Sequence, residues 1–217
     1  MKLYTVKTPK LVKSLFPQLV WEFSVATKTI YLTFDDGPIP EVTPWVLEQL
    51  AQYTAKATFF CIGDNVKKYP KIYNDIIQQG HAVGNHTQQH VNAWKVSNEL
   101  YISDSIHCDE TFKTVLKSSK RTTTKLFRPP YGKITPHLAR KLRELGYSII
   151  MWNVLSGDFD TELSPEKCLS NVLDHTEAGS IVVFHDSIKA QEKIRYALPK
   201  VLAHFSNLGY TFDSISI

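Results

Sequence analysis

Seven short runs rich in aromatic and β-branched residues alternate along the chain with longer segments whose apolar residues recur every three or four positions. The runs cover 29–34, 57–63, 81–86, 125–129, 147–154, 180–186 and 210–215, each bounded by turn-forming or polar residues, as strands are. Helical spacing covers 41–53, 70–80, 103–119, 135–146, 164–179 and 195–209. In the first of these, Val42, Trp45, Val46, Gln49, Leu50 and Tyr53 fall on one face. The punctuation agrees. Thr135 and Ser164 each precede a proline, the order of an N-cap followed by proline at the first helical position. Gly80, Gly146, Gly179 and Gly209 stand where a helix ends before the next strand. Such strand–helix repeats imply a parallel sheet, either closed into a barrel or left open and doubly wound.

Composition sets the outer limits. A chain of 217 residues, 43% hydrophobic and 21% charged, suits a single domain spanning 1–217 with a sizeable core. A net charge of +4 is far from the basic footprint of a nucleic-acid binder, so no nucleic-acid partner is expected. Cys61, Cys108 and Cys168 are widely spaced and form no C-x-x-C pair, which points to idle buried thiols rather than a disulfide framework or a thiolate metal site. Lys10, Lys13, Pro17 and Glu22 interrupt the N-terminal apolar residues before a signal-peptide core can form, and no run reaches membrane-spanning length. A cytoplasmic location is the resulting expectation. The stretch 117–125 reads as a basic surface loop.

The polar residues favour closure. Asp35 and Asp36 follow the first run, His86 and His90 the third, Arg128 the fourth, Asp158 the fifth and His185 the sixth. In a parallel barrel those ends gather on one rim, where barrel enzymes keep their chemistry. Singly, each has a plainer reading. TFDDGP fits a polar turn as well as a site, H-x-x-x-H allows two imidazoles to reach one ion from a helical face or a compact loop, RPPYG fits an extended strand exit, and His185 with Asp186 fits a surface pair. Their common position is what favours an active site.

In order, TFDDGP (33–38), HTQQH (86–90), RPPYG (128–132), WNVLSGDFD (152–160) and VVFHD (182–186) resemble the five motifs of the NodB-type polysaccharide deacetylases, carbohydrate esterase family four. The likeness runs from about residue 29 to the C-terminus. It implies a distorted (β/α) barrel of seven parallel strands. It also implies a metal-dependent hydrolase that removes N-acetyl or O-acetyl groups from an oligo- or polysaccharide. By this resemblance Asp35 is the general base, Arg128 holds Asp35, and Asp36, His86 and His90 ligate one divalent metal. That metal is zinc, with cobalt, nickel or iron as alternatives. The Tyr131 N–H donates to the oxyanion, and Asp158 orients His185, the general acid. Phe159 and Val183 line the pocket for the acetyl methyl. The chain departs from the commonest family pattern with Leu155 in place of an aspartate, Phe159 of a tryptophan and Val183 of a leucine.

Other readings stay open from sequence. A two-histidine, one-carboxylate set also serves non-haem iron oxygenases, although βα repeats do not suit their jelly roll. A barrel amidohydrolase acting on a small non-sugar amide, and a catalytically silent carbohydrate-binding barrel, remain.

Overall fold

The computed structural model describes residues 4–116 and 125–217. Apart from Lys125, the basic stretch 117–125 lies outside the described residues, as does the end of the helix expected over 103–119. The strands are β1 (Thr29–Asp35), β2 (Thr58–Cys61), β3 (Ala82–Asn85), β4 (Lys125–Phe127), β5 (Tyr147–Ile149), β6 (Val154–Leu155), β7 (Ile181–His185) and β8 (Thr211–Phe212). The helices are α1 (Lys10–Leu15), α2 (Thr43–Gln52), α3 (Gly63–Lys68), α4 (Pro70–Gln78), α5 (Asn98–Leu116), α6 (Pro136–Glu144), α7 (Pro165–Leu173) and α8 (Gln191–Asn207).

Seven strands pair side by side in the order β5-β4-β3-β2-β1-β7-β6, every pair parallel. Two-residue β8 lies off this path, beside the start of β1. The expected strand over 147–154 is two strands at opposite ends of the row. Here the backbone leaves β5, passes Trp152 and Asn153, and re-enters the sheet against β7. The sheet is thus a curled half-barrel whose end strands do not pair with each other. The N-terminal segment spans the gap. Lys7 bridges Val154 of β6, Val20 bridges Ile150 just after β5, and Glu22 bridges Ser180 before β7.

The central strands read as unbroken apolar runs because helices cover the sheet, so both faces are dry. Every residue of β2 is buried, as are Ile30, Leu32 and Phe34 of β1 and Ile181–Phe184 of β7. Phe34 packs against Phe59 and Phe184 with ring centroids 5.0 and 6.1 Å apart. Helix α8 lays Ile194, Ala197, Leu198, Val201, Leu202 and Phe205 onto this core. The caps stand where expected. Thr135 and Ser164 accept the N–H groups of Leu138 and Lys167 through their hydroxyl oxygens, each at 3.2 Å. Gly80, Gly146 and Gly209 take the left-handed backbone that ends a helix without a Cβ penalty; Gly179 also has positive φ but lies in the turn before β7, because α7 ends at Leu173 rather than running to 179. The three cysteines are buried and form no disulfide.

His81, at the foot of β3, is buried against the Phe59 ring and accepts the Ala57 N–H on Nδ1 at 3.2 Å. Burial, helped by the Lys56 charge, lowers its pKa from 6.5 to about 4. The unfolded chain therefore binds a proton near pH 6.5 that the folded chain refuses until about pH 4. This contribution to stability is complete above pH 6.5 and is lost as the pH falls from 6.5 towards 4. Urea midpoints are expected to decline across that window. They should do so less steeply in His81→Gln, which has no proton to gain.

Candidate active site

Strand register assembles the site. Asp35 at the end of β1 lies level with His185 at the end of β7. Asn85 at the end of β3 lies level with Phe127 of β4, which sets His86 beside Arg128. Residues 42 (His86 and Arg128) and 93 (Asp35 and Arg128) positions apart in sequence become neighbours because parallel strands end on the same rim.

Asp35 is buried and accepts a 2.8 Å hydrogen bond on Oδ1 from Arg128 Nη1. Arg128 is itself wholly buried. Its Nη1 also donates to the Thr33 hydroxyl at 2.7 Å, Nε to the Ile150 carbonyl at 3.1 Å and Nη2 to the Met151 carbonyl at 2.9 Å. The guanidinium lies 4.1 Å over the Phe60 ring. Burial lowers its pKa and the Asp35 carboxylate opposes the shift; a guanidinium stays charged regardless.

Asp36 turns the other way because its backbone takes φ +82°, an unusual value for a residue with a Cβ. Asn65 Nδ2 donates to its carbonyl at 2.7 Å and helps to hold that turn. A cis Gly37–Pro38 bond follows. Asp36 Oδ1 lies 3.3 Å from His90 Nε2 and 3.7 Å from His86 Nε2. That oxygen is buried and has no hydrogen-bond partner among the described residues. HTQQH is a compact loop rather than a helical face, with Thr87 and His90 both at positive φ. Its turn is pinned by the Thr87 N–H to Asn85 Oδ1 at 2.8 Å and the Gln88 N–H to Asp104 Oδ2 at 2.8 Å.

This set fits a divalent metal. The donor atoms of Asp36, His86 and His90 all lie within 4.8 Å of one another. His86 Nδ1 is 2.8 Å from the Arg128 carbonyl, which takes the Nδ1 proton and leaves an Nε2 lone pair facing Asp36. Burial, then the neighbouring His90, pushes the His86 pKa down to about 3, so the ring is neutral as a ligand must be. A buried carboxylate oxygen with no donor is costly unless something cationic meets it. Two imidazoles and one carboxylate suit a divalent first-row metal.

On the far side, Asp158 is fully buried. Its Oδ1 accepts from His185 Nδ1 at 2.7 Å and its Oδ2 from the His185 backbone N–H at 2.6 Å. Burial works against a charged imidazole, but Asp158 outweighs it. With smaller contributions from Asp36 and Asp35, the His185 pKa rises to about 10. Tyr131 sits at φ +61° in a 3-10 turn, Pro130–Gly132, with its ring exposed and 4.6 Å from that of His90.

The site opens onto a cavity of about 630 Å³. Of the residues expected from sequence, Asp35, Asp36, His86, His90, Tyr131, Phe159, Val183 and His185 line it; Arg128 and Asp158 stand behind the wall. Leu155 and Trp152 join Phe159 and Val183 on the apolar part. Tyr4 and Asp186 were not legible as site residues in the sequence, nor were Ser187 and Lys189, which also line the cavity. Tyr4 lines the cavity from the N-terminal segment, where no motif marks it. Asp186, which fits a surface pair in the sequence, is wholly buried instead. It accepts the Gly37 N–H on Oδ1 at 3.0 Å and the Thr43 hydroxyl on Oδ2 at 2.5 Å, and so clamps the turn after Asp36. A Cβ on Gly37 would fall 2.0 Å from that carboxylate, the steric reason for glycine there. Burial is the main cause that raises the Asp186 pKa, to about 8.

The family model described as "Polysaccharide deacetylase" matches residues 24–150, more than half of the chain. The chain belongs to the polysaccharide deacetylase family. Within it, the chain is 34% identical over 199 residues to a peptidoglycan-N-acetylglucosamine deacetylase of Bacillus cereus, covering 91% of each. A chitooligosaccharide deacetylase of Azorhizobium caulinodans is 35% identical over 167 residues, 76% of each chain. The crystal structure of the Bc1960 peptidoglycan N-acetylglucosamine deacetylase, solved with a naphthyl N-oxidanyl-benzamide, superposes with a TM-score of 0.85 at 30% identity, covering 96% of this chain and 95% of that one. A mutant of BA3943, a CE4-family pseudoenzyme with restored enzymatic activity, superposes with a TM-score of 0.77 at 25% identity, covering 90% and 68%. The seven-strand row therefore agrees with the fold of this deacetylase family. Among the described residues, no helix is long and apolar enough to cross a membrane.

Proposed function

We propose that the protein hydrolyses the N-acetyl group of N-acetylglucosamine units in a glycan of the peptidoglycan or chitooligosaccharide kind, using a divalent metal held by Asp36, His86 and His90. The observation that carries this reading is the pair of opposed proton-transfer groups flanking the metal set. Asp35 is fixed by Arg128 on one side, and His185 by Asp158 on the other, around one cavity. Mere carbohydrate binding needs no such pair. The relatives' names support the substrate class.

When bound, the metal supplies Lewis acidity, making water more acidic and polarising the amide carbonyl. Arg128 occupies Asp35 Oδ1, which leaves Oδ2 to take the proton from the attacking water. Asp158 accepts the Nδ1 proton of His185, so the Nε2 proton is the one presented to the departing sugar amine. A pKa raised to about 10 keeps that imidazole protonated at neutral pH, as a general acid requires. The Tyr131 N–H donates to the oxygen on which charge develops. The N–H groups of Gly132 and Lys133 are taken by the Pro129 and Pro130 carbonyls. One such donor is worth roughly 3–4 kcal/mol in acyl transfer. Trp152, Leu155, Phe159 and Val183 offer an apolar surface to the acyl methyl.

The deciding experiment is acetate release from N-acetylglucosamine oligomers, peptidoglycan fragments and acetylxylan, each with zinc or with a chelator. Release from the first two that stops on chelation supports the reading; no release from any with zinc bound overturns it. His86→Ala should weaken zinc binding by more than about 100-fold, beyond the cost of losing an outer-shell partner, and remove activity with it. Zinc stoichiometry after dialysis checks the first half of that statement.

A further inference from the structure

The segment ahead of the family match supplies a wall of the cavity. Residues 6–8 run antiparallel to β6. The Leu155 N–H donates to the Val6 carbonyl at 2.8 Å, the Thr8 N–H to the Asn153 carbonyl at 3.0 Å and the Thr8 hydroxyl to the Trp152 carbonyl at 2.9 Å. Because the pairing is antiparallel and sets Lys7 against Val154, the chain ahead of Lys7 runs towards the rim at which β6 ends. Tyr4 arrives there opposite Gly157, whose added Cβ would lie 3.0 Å from the Tyr4 hydroxyl. Its ring packs 5.2 Å from that of Phe159, which in turn lies 5.2 Å from the ring of His185. The hydroxyl donates to Asp160 Oδ2 at 3.2 Å, and Asp160 is buried with Oδ1 accepting the Glu162 N–H.

The cavity has a polar part, where Asp35, Asp36, His86 and His90 converge, and an apolar part formed by Trp152, Leu155, Phe159 and Val183. An acyl group whose carbonyl meets the polar part must direct its alkyl end into the apolar one. Tyr4 stands against Phe159 there and closes it. We propose that Tyr4 is a specificity-determining residue that limits the length of the acyl chain the site accepts. The proposal rests on the acyl-transfer reading above. The ring does this work, and the bond to Asp160 fixes its rotamer.

The test separates the pocket from the reaction. Acetohydroxamate, propionohydroxamate and butyrohydroxamate each chelate a divalent cation through two oxygens and differ only in acyl length. Their affinities for the zinc-loaded protein can be ranked by calorimetry without turnover. Tyr4→Ala is expected to raise the butyro-to-aceto affinity ratio about tenfold, the usual worth of a methylene or two in an apolar pocket. The kcat/KM ratio of N-butyryl to N-acetyl glucosamine oligomers should move with it. Tyr4→Phe should keep the wild-type ratios, whereas Tyr4→Trp, which retains the packing and adds bulk, should lower them even if the alanine variant folds poorly. Unchanged ratios in folded, zinc-replete Tyr4→Ala or Tyr4→Trp overturn the proposal. Acetate release without a ratio change leaves the deacetylase reading standing alone. A ratio change in hydroxamate binding without acetate release upholds the wall and removes the reaction.

Discussion

Asp35→Asn is expected to lower turnover by about two to four orders of magnitude, the range a positioned general base contributes, while zinc binding stays at one equivalent. The amide oxygen of asparagine can still accept from Arg128, so the geometry around Nη1 survives. What disappears is the basic oxygen that takes the proton of water. The proposed metal donors are side-chain atoms of Asp36, His86 and His90, which the substitution does not replace. Arg128 loses its counter-charge, so turnover is to be read well below the lowered melting midpoint, on soluble protein. Near wild-type turnover in this variant would defeat the assignment of Asp35 as base.

The second large effect concerns stability. Arg128→Met is expected to cost about 3–5 kcal/mol, the cost of breaking a buried ion pair by deleting one partner. Arg128 is fully buried and serves Asp35, the Thr33 hydroxyl and the Ile150 and Met151 carbonyls. Methionine fills much of the space but leaves those acceptors without a donor and a buried carboxylate without a cation. Arg128→Lys restores the charge but not the planar fork, so it should recover only part of the loss. Urea unfolding at neutral pH measures both.

Much of this was legible in the chain. The alternation of β-rich runs with helical spacing is a local property, set by which face of each element must be dry, and most strands and helices overlap the runs it marks, although α1 and α3 were not marked and the run over 164–179 is helical only to Leu173. Thr135 and Ser164 cap as their prolines suggested, because an N-cap bond spans only three residues. The five motifs marked the rim, since parallel strands deliver their C-terminal ends to one side whatever lies between them. The exception among the strands, 147–154, shows the limit. Continuous apolar sequence does not say where a backbone leaves one sheet edge and joins another, and β5 and β6 end up at opposite ends of the row.

The tertiary structure alone decided the rest. The family likeness already paired Arg128 with Asp35, but that Arg128 also reaches the carbonyls after β5 depends on strand order, which no local pattern encodes. That Asp186 is a buried clamp on the Gly37 turn rather than a surface charge depends on which loop covers it. Tyr4 reaches the cavity only because the N-terminal segment pairs with the outer edge of β6, an edge that exists because the barrel does not close. Residue type and spacing thus determined the elements and the chemistry at the ends of the strands. Long-range pairing decided what surrounds that chemistry, because burial and partnership are properties of neighbours in space.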